Sequence, residues 1–355
     1  MTVTITHSPM GAGSHPALGP LPRGGLVAYF TANGSLAHTQ TCTGSGDEMF
    51  TAVELGVFEA TPLTAASFSA LARSDERATE LLLDACVSLG LLAKNDAEYT
   101  NTPESETYLK STSPHTLAGY ALYSSNVLWH LWEHLPDAVR EGSHRWPQAF
   151  QMQGPIFTHF FKTDEAMRTF LTGLHGLGMM SSPQAIAAHD LSAVQHFVDL
   201  GGGTGHLALA FLDQYPNAKA TVFDLPQVIP LTKEITQNRV ATVEGDFFQD
   251  PLPPADCYAL ARILHDWPLP KIQNLLAKIH DTLPPNGRLL ICEMLINPQK
   301  TGPTSSMMQS LNMLTCTEGQ ERTAAEYDQL CKDAGFTSTN AVTTGAPVDA
   351  VLAIK

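Results

Sequence analysis

The feature that most constrains this chain is a change of texture near residue 190. From there on, short apolar runs alternate with amphipathic helical patterns. The runs are His196-Phe-Val-Asp-Leu200, Ala218-Lys-Ala-Thr-Val-Phe-Asp224, Val240-Ala-Thr-Val-Glu244, Cys257-Tyr-Ala-Leu-Ala-Arg-Ile263 and Arg288-Leu-Leu-Ile-Cys-Glu293. Runs of this length read as strands buried on both faces, and strands joined through helices run parallel. The pattern therefore predicts an α/β fold built on a doubly wound sheet. The closing stretch, Phe336 to Ile354, carries no helical pattern and reads as an antiparallel hairpin turning at Gly345-Ala-Pro347.

A chain of 355 residues suits two domains. Residues 1–25, rich in Gly, Pro, Ser and His, read as a flexible arm. Asp47 to Ala60 reads as one helix, and Asp75 to Gly90 as another, capped by Ser74 and closed by Gly90, with a polar hairpin after Leu91-Leu92. Two helices and a hairpin make a winged-helix unit, placed at 26–113. Residues 114–184 read as a helical connector with aromatic clusters at Trp129, Trp132, Phe157, Phe160 and Phe161, and 185–355 as the sheet domain.

Winged helices bind DNA or dimerise. The net charge of −15, with Arg77 the one basic residue between Asp75 and Gly90, favours dimerisation and argues against nucleic acid. No run approaches the roughly 18 apolar residues of a membrane span, and no signal-like start precedes one. Six cysteines without a CxxC pair suit a reducing cytoplasm.

Ligands of open parallel sheets bind beyond the carboxyl ends of the strands, where the strand order reverses. The loop after the first strand is Gly201-Gly-Gly-Thr-Gly205. It misses the dinucleotide fingerprint G-x-G-x-x-G because position 206 is His, and fits D-x-G-x-G-x-G at Asp199, Gly201, Gly203 and Gly205. Asp224 ends the second strand, where a carboxylate receives ribose hydroxyls or else caps the segment after Pro226. Gly245-Asp-Phe-Phe248 ends the third and suits a nucleobase, or else forms a turn. Three such signals on successive strands agree on an adenosyl pocket.

With Arg262-Ile-Leu-His-Asp-Trp267 and Glu318-Gly-Gln-Glu-Arg-Thr323, these segments resemble the class I S-adenosylmethionine-dependent small-molecule O-methyltransferases of the hydroxyindole and plant phenolic type. The resemblance runs from about residue 45 to the C-terminus. It implies a Rossmann-like methyltransferase domain, an N-terminal winged-helix dimerisation domain, a homodimer and S-adenosylmethionine as cofactor. The implied reaction is metal-independent, in-line transfer to the hydroxyl of a small aromatic or enolic acceptor.

The same resemblance implies that His265 is the general base, framed by Glu293 and Glu321. An imidazole titrating near neutrality can take a hydroxyl proton, and a neighbouring carboxylate can orient it. For Glu321 the alternative is a surface charge paired with Arg322. The resemblance further places Gly201, Gly203, Asp224, Asp246, Phe247, Phe248 and Arg262 at the cofactor. It places Phe161, Met180, Asp266, Asn312 and Cys316 on the acceptor side, Asp266 alternatively capping the next helix. Thr163 to Ser181 reads as a helix with Met167, Phe170, Leu171, Leu174 and Leu177 on one face, most of that stripe being core, and His175 as a satisfied core histidine.

The chain also departs from the pattern. Phe161 and Gly178 stand where hydroxyindole enzymes carry Tyr and Trp, and Cys316 replaces a pocket amide, whereas Asn312 is retained. A lost amide and a lost ring point to a bulkier or less polar acceptor. Methylation at nitrogen or carbon and a non-methylating reaction are disfavoured by His265, Glu293 and Glu321. The single Arg77 disfavours a ligand-sensing regulator, and His206 disfavours a nicotinamide dehydrogenase.

Overall fold

A computed structural model describes residues 46–154 and 156–355 of the protein; the arm at 1–25 and Cys42 lie outside them. The N-terminal unit starts with the helix Asp47–Leu55, where Gly56, at φ +80°, breaks the expected single helix and a short one, Val57–Ala60, follows. Glycine reaches that left-handed conformation without the steric cost a side chain adds. The helix Glu76–Ser88 is capped by Asp75, whose side chain accepts from the Ala78 amide, one residue later than the expected Ser74. Strands β1 (Leu63–Thr64), β2 (Leu92–Asn95) and β3 (Glu98–Asn101) form an antiparallel sheet in the order β1-β3-β2, which completes the helices-plus-wing shape.

The second sheet has seven strands. β4 (His196–Leu200), β5 (Lys219–Asp224), β6 (Ala241–Glu244), β7 (Cys257–Ala261) and β8 (Arg288–Glu293) are parallel. β9 (Ser338–Val342) and β10 (Asp349–Ile354) form the C-terminal hairpin, with β10 antiparallel to β8. The order β6-β5-β4-β7-β8-β10-β9 puts the reversal at β4, so the glycine loop leaves the sheet at its switch point. Four of the five runs read as buried strands are buried; β6, at the sheet edge, is mostly exposed, since it has one neighbour and little cover.

Core rings lock the first parallel strand to the helix His206–Gln214: Phe197 stacks on Phe211 at 4.4 Å, both fully buried. Burying each phenyl contributes roughly 1.5–3 kcal/mol. The helix predicted to end at Ser181 runs from Asp164 to Ala187, through Pro183, capped by Thr163, so the division expected at 184 and 185 falls inside it. Glycines bring the helix Ala118–Tyr123 against it: a Cβ on Gly173 would stand 2.8 Å from the Tyr120 amide nitrogen, and one on Gly176 2.0 Å from the Thr116 carbonyl. This close crossing positions Tyr120 and Tyr123. Among the described residues no helix is long and apolar enough to cross a membrane, and the five described cysteines are free and buried.

Candidate active site

A cavity of about 660 Å³ opens above the carboxyl ends of β4 to β7, within the range of small-molecule sites. Gly201, Gly203, Asp224, Asp246, Phe247, Phe248 and Arg262 line it. Phe161, Asp266, Asn312 and Cys316 line it too, with His265, Tyr120, Tyr123, Phe157, Phe160 and Trp267. Met180 is not in the wall; it packs half-buried against the main core.

The glycine loop folds by its own backbone. Gly201, Gly203 and Gly205 have φ of +67°, +53° and +79°, and the Gly201 amide donates to the Phe223 carbonyl at 2.8 Å. Asp224 Oδ2 accepts from the Gly203 amide at 2.8 Å and Oδ1 from the Leu225 amide at 2.7 Å, so the carboxylate ties the loop to β5. It caps no helix, because Ile229–Thr236 has Val228 at its N-cap without a side-chain bond. Burial pushes Asp224 up to about 6, opposed by those two amides. Asp246 makes the expected turn, accepting from the Phe248 amide and Gln249 Nε2, and also faces the cavity.

An ideal Cβ on Gly201 would lie 2.7 Å from Ile263 Cδ1 and 3.2 Å from Phe247 Cε1. The loop thus closes an apolar slot beside an acidic acceptor that keeps spare lone pairs. That combination fits an adenosyl group, whose ring is flat and whose ribose offers two hydroxyl donors. Asp199 sits beneath the loop, outside the cavity, and burial pushes it up to about 7.

His265 lies in the 3-10 turn Leu264–Asp266 after β7. Glu293, ending β8, anchors this turn: its Oε1 accepts from the amides of Ile263 at 3.0 Å, Leu264 at 2.8 Å and His265 at 3.4 Å. His265 Nδ1 meets Glu321 Oε1 at 2.6 Å and Glu293 Oε2 at 3.4 Å. Glu321 is buried, and its alternative as a surface partner of Arg322 fails. Arg322 donates instead to the Leu264 and Trp267 carbonyls, bracing the same turn.

Burial pushes Glu293 up to about 7, against the pull of His265, and Glu321 up to about 8, against Arg262 and Arg322. The three side chains offer ligand atoms within 4.8 Å of one another, but of them only His265 reaches the cavity wall. Asp266 faces the cavity with Oδ1 3.7 Å from His265 Nε2, and burial pushes it up to about 7. It caps nothing, since Leu269–Thr282 starts at Pro268 without a side-chain bond.

On the acceptor side, Asn312 Oδ1 accepts from Trp132 Nε1 at 2.9 Å, and Cys316 Sγ donates to the Asn312 carbonyl at 3.0 Å. Both polar groups are thus engaged internally. The room expected from Gly178 does not exist: a Cβ there would stand 2.3 Å from the ring of His206, which fills the place. His175 is satisfied, its Nδ1 2.9 Å from Thr204 Oγ1.

Sequence reasoning missed Gly319, where a Cβ would lie 2.1 Å from the His265 carbonyl, so only glycine lets the Glu318-to-Thr323 loop reach the turn. Its place beside a buried Glu-Arg pair in the motif was the available signal. It also missed Tyr120 and Tyr123, for which the local sequence gives no signal.

Known proteins resemble this chain in sequence and fold. A family model for an O-methyltransferase dimerisation domain matches residues 46–111, and one for an O-methyltransferase domain matches residues 132–337. Acetylserotonin O-methyltransferase of Gallus gallus is 40% identical over 321 residues, covering 86% of this chain and 93% of the relative; the Homo sapiens enzyme is 39% identical with the same coverage. The crystal structure of human N-acetylserotonin methyltransferase with its cofactor SAM superimposes with a TM-score of 0.84 at 38% identity, covering 93% of this chain and 96% of that one. The mitomycin 7-O-methyltransferase MmcR superimposes with a TM-score of 0.78 at 26% identity, over 93% and 98%. With the glycine loop at the switch point and a dimerisation domain before it, the chain belongs to the S-adenosylmethionine-dependent O-methyltransferases.

Proposed function

We propose that the protein methylates the hydroxyl of a small aromatic acceptor, with His265 as general base. The observation that carries this is the hydrogen bond of 2.6 Å between His265 Nδ1 and Glu321, which leaves Nε2 as the ring nitrogen able to take a proton. S-adenosylmethionine supplies an electrophilic methyl on its sulfonium. Asp224 accepts from the ribose hydroxyls, while Asp246, Phe247 and Phe248 hold the adenine and Arg262 borders the cofactor. Trp267 with Phe157, Phe160 and Phe161 holds the acceptor ring, so that its oxygen faces Nε2. Asp266, Asn312 and Cys316 border the acceptor.

The base removes the hydroxyl proton while the methyl is transferred, and Glu321 stabilises the imidazolium that forms. Holding both partners in one enclosed cavity replaces a bimolecular encounter and supplies much of the rate. The reaction calls on no metal, and the match to a dimerisation domain supports a homodimer as the working form. The apolar wall favours an acceptor less polar than N-acetylserotonin, and because His206 fills the space at Gly178 the pocket offers no extra bulk there.

The test is turnover with S-adenosylmethionine on matched acceptor series: indoles, catechols and larger phenols, each as the hydroxyl, the amine and the unsubstituted ring. Methylation of the hydroxyl series alone supports the reading. Preferential methylation of the amines refutes it, and a clear preference for N-acetylserotonin over less polar phenols refutes the less polar acceptor.

A further inference from the structure

The contact between Gly178 and His206 sits at one end of the cavity, on elements that the catalytic residues do not use. An ideal Cβ at 178 would meet Cδ2 and Cγ of the imidazole at 2.3 Å and Nδ1 at 2.5 Å, so that edge of the ring lies against the helix Asp164–Ala187. Nδ1 is 2.8 Å from Ser182 Oγ. The hydroxyl has no other hydrogen bond among the described residues, so its own proton is satisfied when it donates to Nδ1. In that tautomer the ring proton is on Nε2. Nε2 has no partner among the described residues, and His206 lines the cavity beside Gly203 and Thr204. Burial, with His175 and Arg262 nearby, pushes His206 down to about 3, so the ring is neutral.

The sheet order gives the succession of groups around His206 at the cavity. Asp246 follows β6, Asp224 ends β5, the glycine loop follows β4 and Arg262 follows β7, in that spatial succession. Adenine at the first and ribose at the second carry the amino-acid tail of the cofactor on toward the third and fourth. His206 is the first residue of the helix His206–Gln214, whose start also favours an anion.

We propose that His206 binds the α-carboxylate of the cofactor through Nε2–H, and that the missing side chain at Gly178 makes room for it. This rests on the placement of adenine and ribose given above. In this chain the donor for the carboxylate stands on the helix after the glycine loop, and Gly178 and His206 form a paired exchange: a large residue at one position excludes the ring at the other.

Calorimetry on the full chain with two ligands tests it: S-adenosylhomocysteine, and 5′-methylthioadenosine, which keeps the adenosine and the thioether but lacks the amino-acid tail. His206→Phe keeps a ring and removes the donor. It is expected to weaken S-adenosylhomocysteine about ten- to hundredfold, as for one hydrogen bond to a charged group, and to leave 5′-methylthioadenosine unchanged. His206→Asn, which keeps an N–H, is expected to lose less. Equal losses for both ligands, or no loss for either, would mean that His206 only packs and would overturn the proposal. Failure of the unaltered protein to bind 5′-methylthioadenosine overturns the adenosine placement instead.

Discussion

Replacing Glu321 by Gln isolates the carboxylate from the shape around it. The side chain is buried, and its oxygen lies 2.6 Å from His265 Nδ1, so an amide fits the same space. In the proposed mechanism the imidazole becomes a cation beside this carboxylate in the transition state. With charge centres about 4 Å apart and an effective dielectric of about 20, the pair is worth about 4 kcal/mol. At about 1.4 kcal/mol per decade, loss of it lowers kcat by about a thousandfold. The amide also presents an N–H to Nδ1 and drives the ring proton to Nε2, the wrong nitrogen for a base. The assay is single-turnover methyl transfer at pH 9, above the value near 8 to which burial raises Glu321, with S-adenosylhomocysteine affinity measured in parallel. A kcat within threefold of the parent at unchanged cofactor affinity would refute the reasoning.

Other consequences follow from the same charges and contacts. The proposed mechanism needs Glu321 ionised, so kcat/KM is expected to rise with pH through about 7 to 8, and Glu321→Gln to flatten that limb. Asp224→Asn keeps an acceptor for the Gly203 amide and is expected to weaken S-adenosylhomocysteine about ten- to hundredfold by calorimetry; in the parent, affinity falls as pH drops through about 6 and the carboxylate takes a proton. Asp199, Asp266, Glu293 and Glu321 all hold their protons to higher pH folded than unfolded, so they favour folding fully below about pH 4 and lose that contribution as pH rises through about 7 to 8. The ligand-free protein is therefore expected to show a lower Tm at pH 8.5 than at pH 6. Cys316→Asn restores an amide to the acceptor wall and is expected to shift kcat/KM two- to tenfold toward amide-bearing indoles over plain phenols.

The sheet and the cofactor end were legible because their signals are local. The strand runs from His196 to Glu293 are legible one by one, and Asp224 ends its strand while Asp246 stands two residues beyond its own, so one stretch names both the element and its cavity-facing end. The cluster of His265, Glu293 and Glu321 was legible only through motif resemblance, since His265 and Glu321 are 56 residues apart and nothing local pairs them. Gly178 was misjudged for the opposite reason. A missing side chain reads as space until the neighbouring helix is placed, and here His206 occupies it. Met180 turns into the core because a helical stripe states which residues share a face, not what that face meets. Tyr120 and Tyr123 reach the cavity through a glycine-mediated helix crossing that no single segment encodes.

The central claim is that His265 removes the acceptor proton while taking no part in holding the cofactor. One paired measurement on His265→Ala addresses it: S-adenosylhomocysteine affinity by calorimetry, and methyl-transfer rate on the best hydroxylated aromatic at saturating cofactor. The expected result is an affinity within about twofold of the parent, with turnover reduced by the hundredfold or more that general-base catalysis supplies. Turnover preserved at parental affinity would contradict it.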